Sequence, residues 1–391
     1  MDAIAPTPKR SSRPKKQRKM RSINSFHPLS PNGKAHMQSA SINYLPCDPT
    51  HYRPKIGLVG CGAITKEHLA AYRTAGYDVA ALCDIDQSAA EARRKEFFPE
   101  AVVTNDVAAL LALPEIEVVD IATHVAVRPP LVRAALEADK HVLSQKPFVL
   151  DLAEGQQLIS VAEAHNRKLA VNQNGRWAPH FCFMRRAIAQ GLIGQVQSVQ
   201  MAVHWDHNWI AGTEFDGMKH VILFDFAIHW FDILGCFLPG YNPLRVHASC
   251  VRAARQRAKP PLLGQANIEY EAAQAQLFFN GNCTCGSSDP TIIVGTEGTL
   301  VSTGADLRKQ QVTLYRNRQV ETPQLSGSWF PGGFHGTMGE LLSAIEAERE
   351  PEISAGNNLQ SLALCFAAVA SAEQGKAVVP GSVTQITEST L

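Results

Sequence analysis

The sequence predicts an α/β protein with two domains: a doubly wound parallel sheet, followed by an α+β domain with a large, mostly antiparallel sheet. Three observations predict this fold. Strand-like apolar runs alternate with helix-like segments up to about residue 175. Strand-like runs then follow one another with few helices between them, and 391 residues are enough for two cores.

The first domain is predicted over residues 54–175, as a Rossmann domain. Alternation of strands and helices implies parallel strands joined by right-handed crossovers. Short apolar runs bounded by turn residues indicate the buried strands of such a sheet. The predicted strands are 56–59, 79–83, 101–103, 118–123, 141–143 and 169–172.

The second domain is predicted over residues 176–391, for substrate binding and oligomerisation. A sheet with one open face needs a cover, so we expect a homodimer or homotetramer formed through that face. The predicted elements are a helix at 181–190, strands at 196–205, 244–251, 268–279, 291–294, 298–302 and 312–315, and closing helices at 335–347 and 358–374.

Residues 1–53 are predicted to be a disordered basic tail. The first 50 residues contain nine Lys or Arg and two Asp, and they show no sustained hydrophobic period. A targeting or nucleic-acid-binding arm is one alternative. A start codon chosen too far upstream, with Met20 or Met37 as the true start, is another.

The rest of the chain excludes several classes of protein. Its net charge is about −6, which gives no reason to expect nucleic-acid binding. No apolar stretch follows the basic residues as in a secretory signal, and no segment is long enough to span a membrane. Nine scattered cysteines suit a reducing compartment, so the predicted location is cytoplasmic.

A glycine turn after the first strand predicts a dinucleotide site. Gly60 permits the tight turn from strand to helix, and Gly62 lets the backbone approach a pyrophosphate. The free N–H groups at the start of the helix, including those of Ala63 and Ile64, are expected to face the phosphates.

Asp84 narrows the cofactor to NAD, with NADP as the alternative. It ends the second strand, where a carboxylate accepts hydrogen bonds from the ribose hydroxyls and repels a 2′-phosphate. Thr65 replaces the third glycine of the fingerprint, so the glycine motif alone is only moderately specific.

Residues 218–237 predict one helix that carries a polar stripe. Asp225, His229 and Asp232 share one face, and the other faces are apolar. The stripe is either a histidine base tuned by carboxylates or a hydrogen-bonded cluster that ties the helix to the sheet. Asp225 is the plausible partner of the histidine, and Asp232 is more often structural at such a position.

Lys146 is a second candidate for chemistry. It lies just past the strand 141–143, and ligands bind at the carboxyl ends of strands in open α/β sheets. Pro147 fixes the turn and therefore the direction of the lysine side chain.

These motifs resemble those of the glucose-fructose oxidoreductase/inositol dehydrogenase (Gfo/Idh/MocA) family. The resemblance covers about residues 54–380. It includes the glycine turn, the Lys-Pro pair after the fifth strand and the Asp-x-x-x-His-x-x-Asp helix. It extends to Leu192-Ile193-Gly194 and to Gly295-Thr296-Glu297-Gly298-Thr299. Together the motifs are specific for the family but not for a substrate.

The resemblance implies an NAD- or NADP-dependent oxidoreductase that acts on a sugar, inositol or related polyol. Lys146 would position the reacting carbon and polarise its oxygen. His229 would remove the hydroxyl proton while hydride leaves for the nicotinamide, and Asp225 would orient the pair. Thr123 and Gln145 fall at positions of the family pattern beside the cofactor.

The chain departs from the family pattern at two positions. Gln145 replaces the glutamate that usually precedes Lys-Pro. Arg128 stands where a histidine is usual. This arginine is either a contact for an acidic group of the substrate or a surface charge.

Candidates on the substrate side lie on loops that are expected to face the cleft. Arg176 and Trp177 offer a hydrogen-bond donor and a stacking face, although Trp177 is equally a candidate core residue. His204 and His207 are three residues apart on an extended segment and point to opposite faces, so no metal site is predicted.

Two other functions remain open from the sequence alone. The cofactor can be retained and recycled, as in hydrolases or lyases that oxidise and then re-reduce one sugar carbon. The chain can also be a non-catalytic dinucleotide-binding regulator, for which the glutamine in the Gln-Lys-Pro segment is the hint.

Overall fold

The computed structural model describes residues 42–306 and 309–387, which contain two sheets. The predicted α/β fold is confirmed. Six parallel strands form the first sheet, and eight strands form a mixed, mostly antiparallel second sheet. The predicted basic tail falls largely outside the described residues, since its first 41 residues precede them.

The first sheet is built by strict alternation of strands and helices. Its elements are β1 (Lys55–Val59), α1 (Thr65–Ala75), β2 (Asp78–Cys83), α2 (Gln87–Phe97), β3 (Val102–Thr104), α3 (Val107–Leu111), β4 (Ile116–Ile121), α4 (Arg128–Glu137), β5 (His141–Ser144), α5 (Leu152–Ala164) and β6 (Leu169–Val171). The strand order is β3-β2-β1-β4-β5-β6, with every pair parallel. The order reverses between β1 and β4, where such sheets open a crevice for a ligand.

The second sheet forms after residue 178. Its elements are α6 (Pro179–Ala189), β7 (Val196–His204), α7 (Ile228–Phe237), β8 (Pro243–Val251), β9 (Leu263–Tyr270), β10 (Gln274–Asn280), β11 (Thr291–Gly295), β12 (Gly298–Asp306), β13 (Lys309–Arg316), β14 (Gln319–Glu321), α8 (Gly332–Glu346) and α9 (Ala355–Gln374). The strand order is β14-β13-β12-β11-β7-β10-β9-β8, and only β7 and β10 run parallel among these strands.

One predicted strand, 268–279, is a hairpin in the structure. β9 and β10 pair antiparallel, and the Tyr270 N–H donates to the Ala273 carbonyl at the turn. Alternating burial continues through both strands, so the apolar pattern did not mark the reversal.

The chain returns to the first domain near its end. Phe334 and Met338 of α8 share an apolar core with Leu69 and Tyr72 of α1. The first domain is therefore completed by a helix that lies far along the chain from the predicted range 54–175. Among the described residues, no helix is both long and apolar enough to cross a membrane.

The last twelve residues of the predicted disordered tail are ordered in the structure. Ile42 is buried in the core. The Glu346 carboxylate accepts hydrogen bonds from the backbone N–H groups of residues 50, 51 and 52, at 2.7, 2.5 and 2.8 Å. These contacts with α8 hold the segment in the structure, and composition does not report them.

Candidate active site

The predicted site residues of the first domain follow neighbouring strands of one parallel sheet. Asp84 follows β2, Gly60 follows β1, Thr123 follows β4 and Lys146 follows β5. Because the strands are parallel and about 4.8 Å apart, these residues lie in that order along one edge. The edge therefore presents the glycine turn between Asp84 on one side and Lys146 on the other.

Gly60 is required by the geometry of the turn. Its φ is +94°, and a Cβ there would lie 2.9 Å from the backbone carbon of Ala122. A Cβ on Gly62 would meet no atom within 4 Å, so this side of the turn is open. The N–H groups of Gly62, Ala63 and Ile64 donate to no residue that the structure describes. The turn thus offers free donors at the start of α1, as phosphate binding requires.

Thr65 has a structural reason to replace the third glycine. Its hydroxyl donates to the Gly62 carbonyl at 2.7 Å, and the Arg93 guanidinium donates to the same carbonyl at 2.9 Å. Two donors therefore hold the turn in shape, and Thr65 itself is fully buried.

Asp84 is held in position by the backbone around it. One carboxylate oxygen accepts from the Cys61 N–H at 2.6 Å, and the other accepts from the Asp86 N–H at 2.8 Å. The neighbouring Ile85 side chain is 95% exposed and offers no positive charge. This end of the edge carries a fixed negative charge, which suits ribose hydroxyls and opposes a 2′-phosphate.

Thr123 lies against the glycine turn. Its methyl group would be 3.1 Å from a Cβ on Gly60. Its hydroxyl oxygen is buried and has no hydrogen-bond partner among the described residues. An unpaired buried hydroxyl is costly unless a ligand satisfies it. Together with the open side of Gly62, this orphaned hydroxyl fits a dinucleotide on this edge.

The structure brings Lys146 and Asp225 together. The Lys146 Nζ lies 3.1 Å from Asp225 Oδ2 and 2.9 Å from the Asp225 carbonyl oxygen. Both side chains are largely buried, at 16% and 11% exposure. A buried ion pair of this kind fixes the ammonium group close to the second domain.

The predicted single helix 218–237 is interrupted at Asp225. Ile222–Phe226 forms a π-helical turn, and α7 begins only at Ile228. A π-turn places one additional residue in the helix, so the faces before and after it are out of register. Asp225 pairs with Lys146, whereas Asp232 pairs with Arg176. The stripe is thus divided between two partners.

His229 is half-buried, one turn after Asp225. Its Nδ1 is buried without a hydrogen-bond partner among the described residues, and its ring meets the Trp329 ring edge-on at 5.3 Å. Burial, and then the positive charge of Lys146, hold the pKa of His229 well below its ordinary value. The imidazole is therefore neutral near pH 7.

Gln145 points into the protein. It is 6% exposed, its Oε1 accepts from the Lys146 N–H at 2.7 Å, and its Nε2 donates to His68 Nε2 at 3.0 Å. The residue predicted to touch the cofactor therefore uses its amide to hold the backbone of its neighbour.

Arg128 fits neither of the two predictions made for it. It is 2% exposed, so it is not a surface charge. Its guanidinium donates to the carbonyls of Thr123, Gln145 (2.5 Å) and Pro147. All three guanidinium nitrogens therefore donate to protein acceptors. Burial lowers the pKa of Arg128 to about 9, which still leaves it charged at pH 7. Arg128 joins the loops that follow β4 and β5.

Arg176 and Trp177 also have structural partners in place of a substrate. Arg176 is paired with Asp232 through two hydrogen bonds of 2.6 and 2.7 Å. Although burial opposes its charge, this carboxylate raises the pKa of Arg176 above its ordinary value. Trp177 is 4% exposed and lies under the guanidinium of Arg185. Asp232 lies 56 residues from Arg176 in sequence, so that pairing could not be predicted, whereas the burial of Trp177 agrees with the core alternative stated for it.

His68 and Asp120 were not among the residues predicted from the sequence. Both are fully buried, and His68 Nδ1 lies 2.7 Å from Asp120 Oδ2, beneath Gln145. The available signal was an acid between Val119 and Ile121, in a strand that is buried at every position except Glu117.

An aromatic cluster extends from His229. Trp205 is 6.5 Å from Trp329 and stacks with His207 at 5.9 Å, and His207 meets Phe226 at 4.5 Å. Trp205 Nε1 and His207 Nδ1 are buried without partners in the described chain. Within the described ranges, no group of three or more His, Cys, Asp or Glu side chains could hold a metal ion.

Two family models match the chain. Residues 54–173 match the oxidoreductase family with an NAD-binding Rossmann fold, GFO/IDH/MocA, and residues 181–301 match the GFO/IDH/MocA C-terminal domain. An uncharacterized oxidoreductase of Escherichia coli is 31% identical over 66% of this chain and 73% of its own length. The chain belongs to the GFO/IDH/MocA oxidoreductase family.

Other relatives agree with this membership. A D-apiose dehydrogenase of Paraburkholderia graminis is 27% identical over 83% of this chain and 89% of its own length. The fold matches a levoglucosan dehydrogenase solved with NADH and levoglucosan, with a TM-score of 0.73, 19% identity, and coverage of 84% of this chain and all of that one. This GFO/IDH/MocA protein is an oxidoreductase with an NAD-binding Rossmann domain.

Proposed function

We propose that this protein is an NAD-dependent dehydrogenase that transfers hydride between the nicotinamide and a hydroxyl or keto carbon of a sugar, inositol or related polyol. The observation that carries the proposal is the buried Lys146–Asp225 pair, with neutral His229 one turn away. Lys146 follows β5, at the edge that also holds the glycine turn.

The cofactor would lie along the edge from Asp84, across the turn at Gly62, to Lys146. Asp84 would accept the ribose hydroxyls, the N–H groups at the start of α1 would bind the phosphates, and Thr123 would donate its free hydroxyl. The bound nicotinamide cofactor supplies the hydride acceptor. The protein then has one proton and the substrate geometry to control.

His229 would take the hydroxyl proton of the substrate, because its imidazole is neutral. The ammonium group of Lys146 would stabilise the oxygen as it becomes negative and hold the reacting carbon in place. Asp225 would fix the direction of that ammonium through the 3.1 Å contact.

The substrate is proposed to be neutral. Arg128 was the candidate for an acidic group, and its guanidinium is committed to protein carbonyls, while Arg176 is paired with Asp232. The aromatic cluster beside His229 adds stacking faces and unpaired polar atoms, a combination that suits a sugar ring. D-apiose, the sugar named for one relative, belongs to this neutral class.

The test is turnover of the purified protein with NAD and NADP on neutral sugars, inositols and sugar acids. We expect NADH to accumulate over many turnovers with a neutral polyol, and NAD to be preferred over NADP. A tightly held cofactor that is reduced and reoxidised without net NADH contradicts the dehydrogenase proposal and supports the cofactor-recycling alternative. Absence of turnover with every substrate tested supports the other alternative, a non-catalytic dinucleotide-binding regulator.

A further inference from the structure

A chain of buried hydrogen bonds ends at the backbone of Lys146. Gln145 Oε1 accepts from the Lys146 N–H at 2.7 Å, and Gln145 Nε2 lies 3.0 Å from His68 Nε2. His68 Nδ1 lies 2.7 Å from Asp120 Oδ2. The three side chains are 6% exposed or less, so water does not compete for these bonds.

The direction of each hydrogen bond follows from chemistry. An amide N–H can only donate, so the oxygen of the Gln145 carboxamide faces Lys146 and its NH₂ faces His68. The NH₂ needs an acceptor, so His68 Nε2 carries no proton. His68 Nδ1 then holds the ring proton and donates it to Asp120.

The surroundings of His68 support this assignment. Asn172 lies 3.3 Å from the same Nε2 and supplies a second NH₂ donor. Tyr72 donates to Asp120 at 2.7 Å, and burial and then Asp120 hold the pKa of Tyr72 well above its ordinary value. The titratable side chains in contact with His68 are Asp120 and Tyr72, and the Phe334 ring covers it from α8.

We propose that neutral His68, fixed by Asp120, acts through Gln145 as the positioning residue for Lys146. The inference rests on the proposed function, because it assigns a consequence to the position of Lys146. It also explains the departure from the family pattern. A glutamate at 145 can accept from the Lys146 N–H but cannot donate to a neutral His68, so glutamine suits an uncharged histidine.

The first test is the tautomer of His68, which needs no substrate. In ¹⁵N-histidine-labelled protein, with the His68 signals assigned by their loss in His68→Gln, we expect the ring proton of His68 on Nδ1 and none on Nε2. In Gln145→Glu we expect a ring protonated on both nitrogens. A wild-type His68 that is protonated on Nε2 overturns the proposal.

The second test separates positioning from cofactor binding. His68→Leu and Gln145→Leu should lower kcat about 10- to 100-fold, as small misplacements of catalytic groups do, with the Kd for NAD unchanged. His68→Gln keeps one donor and one acceptor, so it should recover most of kcat. Ser371→Ala is the control: it removes a buried hydroxyl that makes two hydrogen bonds, and it should keep full activity.

Each outcome decides one question. Unchanged kcat in both leucine variants overturns the positioning role, and so does a raised Kd for NAD without a loss of kcat. Either result leaves the dehydrogenase proposal standing. A wild-type protein without turnover overturns the dehydrogenase proposal, and the tautomer measurement still decides whether the chain of hydrogen bonds has the stated direction.

Discussion

We propose that Asp84 determines the choice between NAD and NADP. Asp84→Asn should raise the Kd for NAD about tenfold, because hydrogen bonds to a charged group contribute about 1.5–3 kcal/mol and 1.4 kcal/mol corresponds to a factor of ten. The preference for NAD over NADP should fall, since the charge that repels a 2′-phosphate is lost. Fluorescence titration with both cofactors measures this.

Asp86→Asn is the matched control for that experiment. Asp86 caps α2 two residues further on, and asparagine caps a helix equally well. The control should bind both cofactors as the wild type does. If Asp84→Asn also leaves the ratio of the two Kd values unchanged, Asp84 does not contact the ribose.

Arg128 is predicted to act on stability and not on substrate choice. Arg128→Leu should lower the free energy of unfolding by about 2–4 kcal/mol, because three buried carbonyls lose a charged donor. Denaturant unfolding measures the change, and Arg133→Leu on the exposed side of α4 should have little effect. A selective rise in KM for sugar acids, with normal stability, would show that Arg128 binds substrate.

At the scale of residues, the sequence predicted what depends on near neighbours. The left-handed Gly60 belongs to a turn only a few residues long, and Asp84 directly follows the next strand along the chain. The partners of Arg128 and Arg176 could not be predicted, because they are backbone carbonyls and a carboxylate brought close by the fold. Charge and residue type are the same for a substrate-binding arginine and a structural one.

At the scale of elements, the π-turn at Ile222–Phe226 is the clearest difference from prediction. The segment is apolar on nearly every side, so a helix of any period satisfies the hydrophobic pattern. In the structure the carbonyl and the carboxylate of Asp225 both contact Lys146. The pattern predicted Asp225, His229 and Asp232 on one helix face, but not the division of the stripe between two partners.

The contact between α8 and residues 42–53 gives a pH-dependent prediction. Hydrogen bonds from Thr50, and then from His51, lower the pKa of Glu346 below its ordinary value of about 4.3. A lowered pKa means that the contact is complete above pH 4.3 and is lost as the pH falls through the lower, folded-state value. Hydrogen exchange of residues 42–53, corrected for intrinsic rates, should therefore rise in acid.

The substitution that tests this contact is Glu346→Gln. It replaces the carboxylate with an amide that has one acceptor oxygen, so exchange of residues 42–53 should be faster already at pH 7. Glu348→Gln, at an exposed position just past α8, is the control and should leave exchange unchanged. Equal protection in wild type and Glu346→Gln would show that apolar packing alone holds the segment.

At the scale of the whole molecule, the strand pattern was sufficient to predict two sheets of different kinds. It could not show that α8 completes the first domain, because an apolar helix face does not specify which sheet it covers. The outer face of the second sheet carries the exposed Phe278, Ile292 and Tyr315 among polar residues. Association through this face as a homodimer or homotetramer stays a prediction.

The central claim is that the glycine-turn edge and the Lys146–Asp225–His229 group form one hydride-transfer site. The direct measurement compares NADH formation and the Kd for NAD in wild type, Lys146→Ala and His229→Ala with the same neutral polyol. We predict an unchanged Kd and a rate at least about 100-fold lower in both variants, since each loses a group that acts in the transition state. Near-normal rates in both variants would contradict the account.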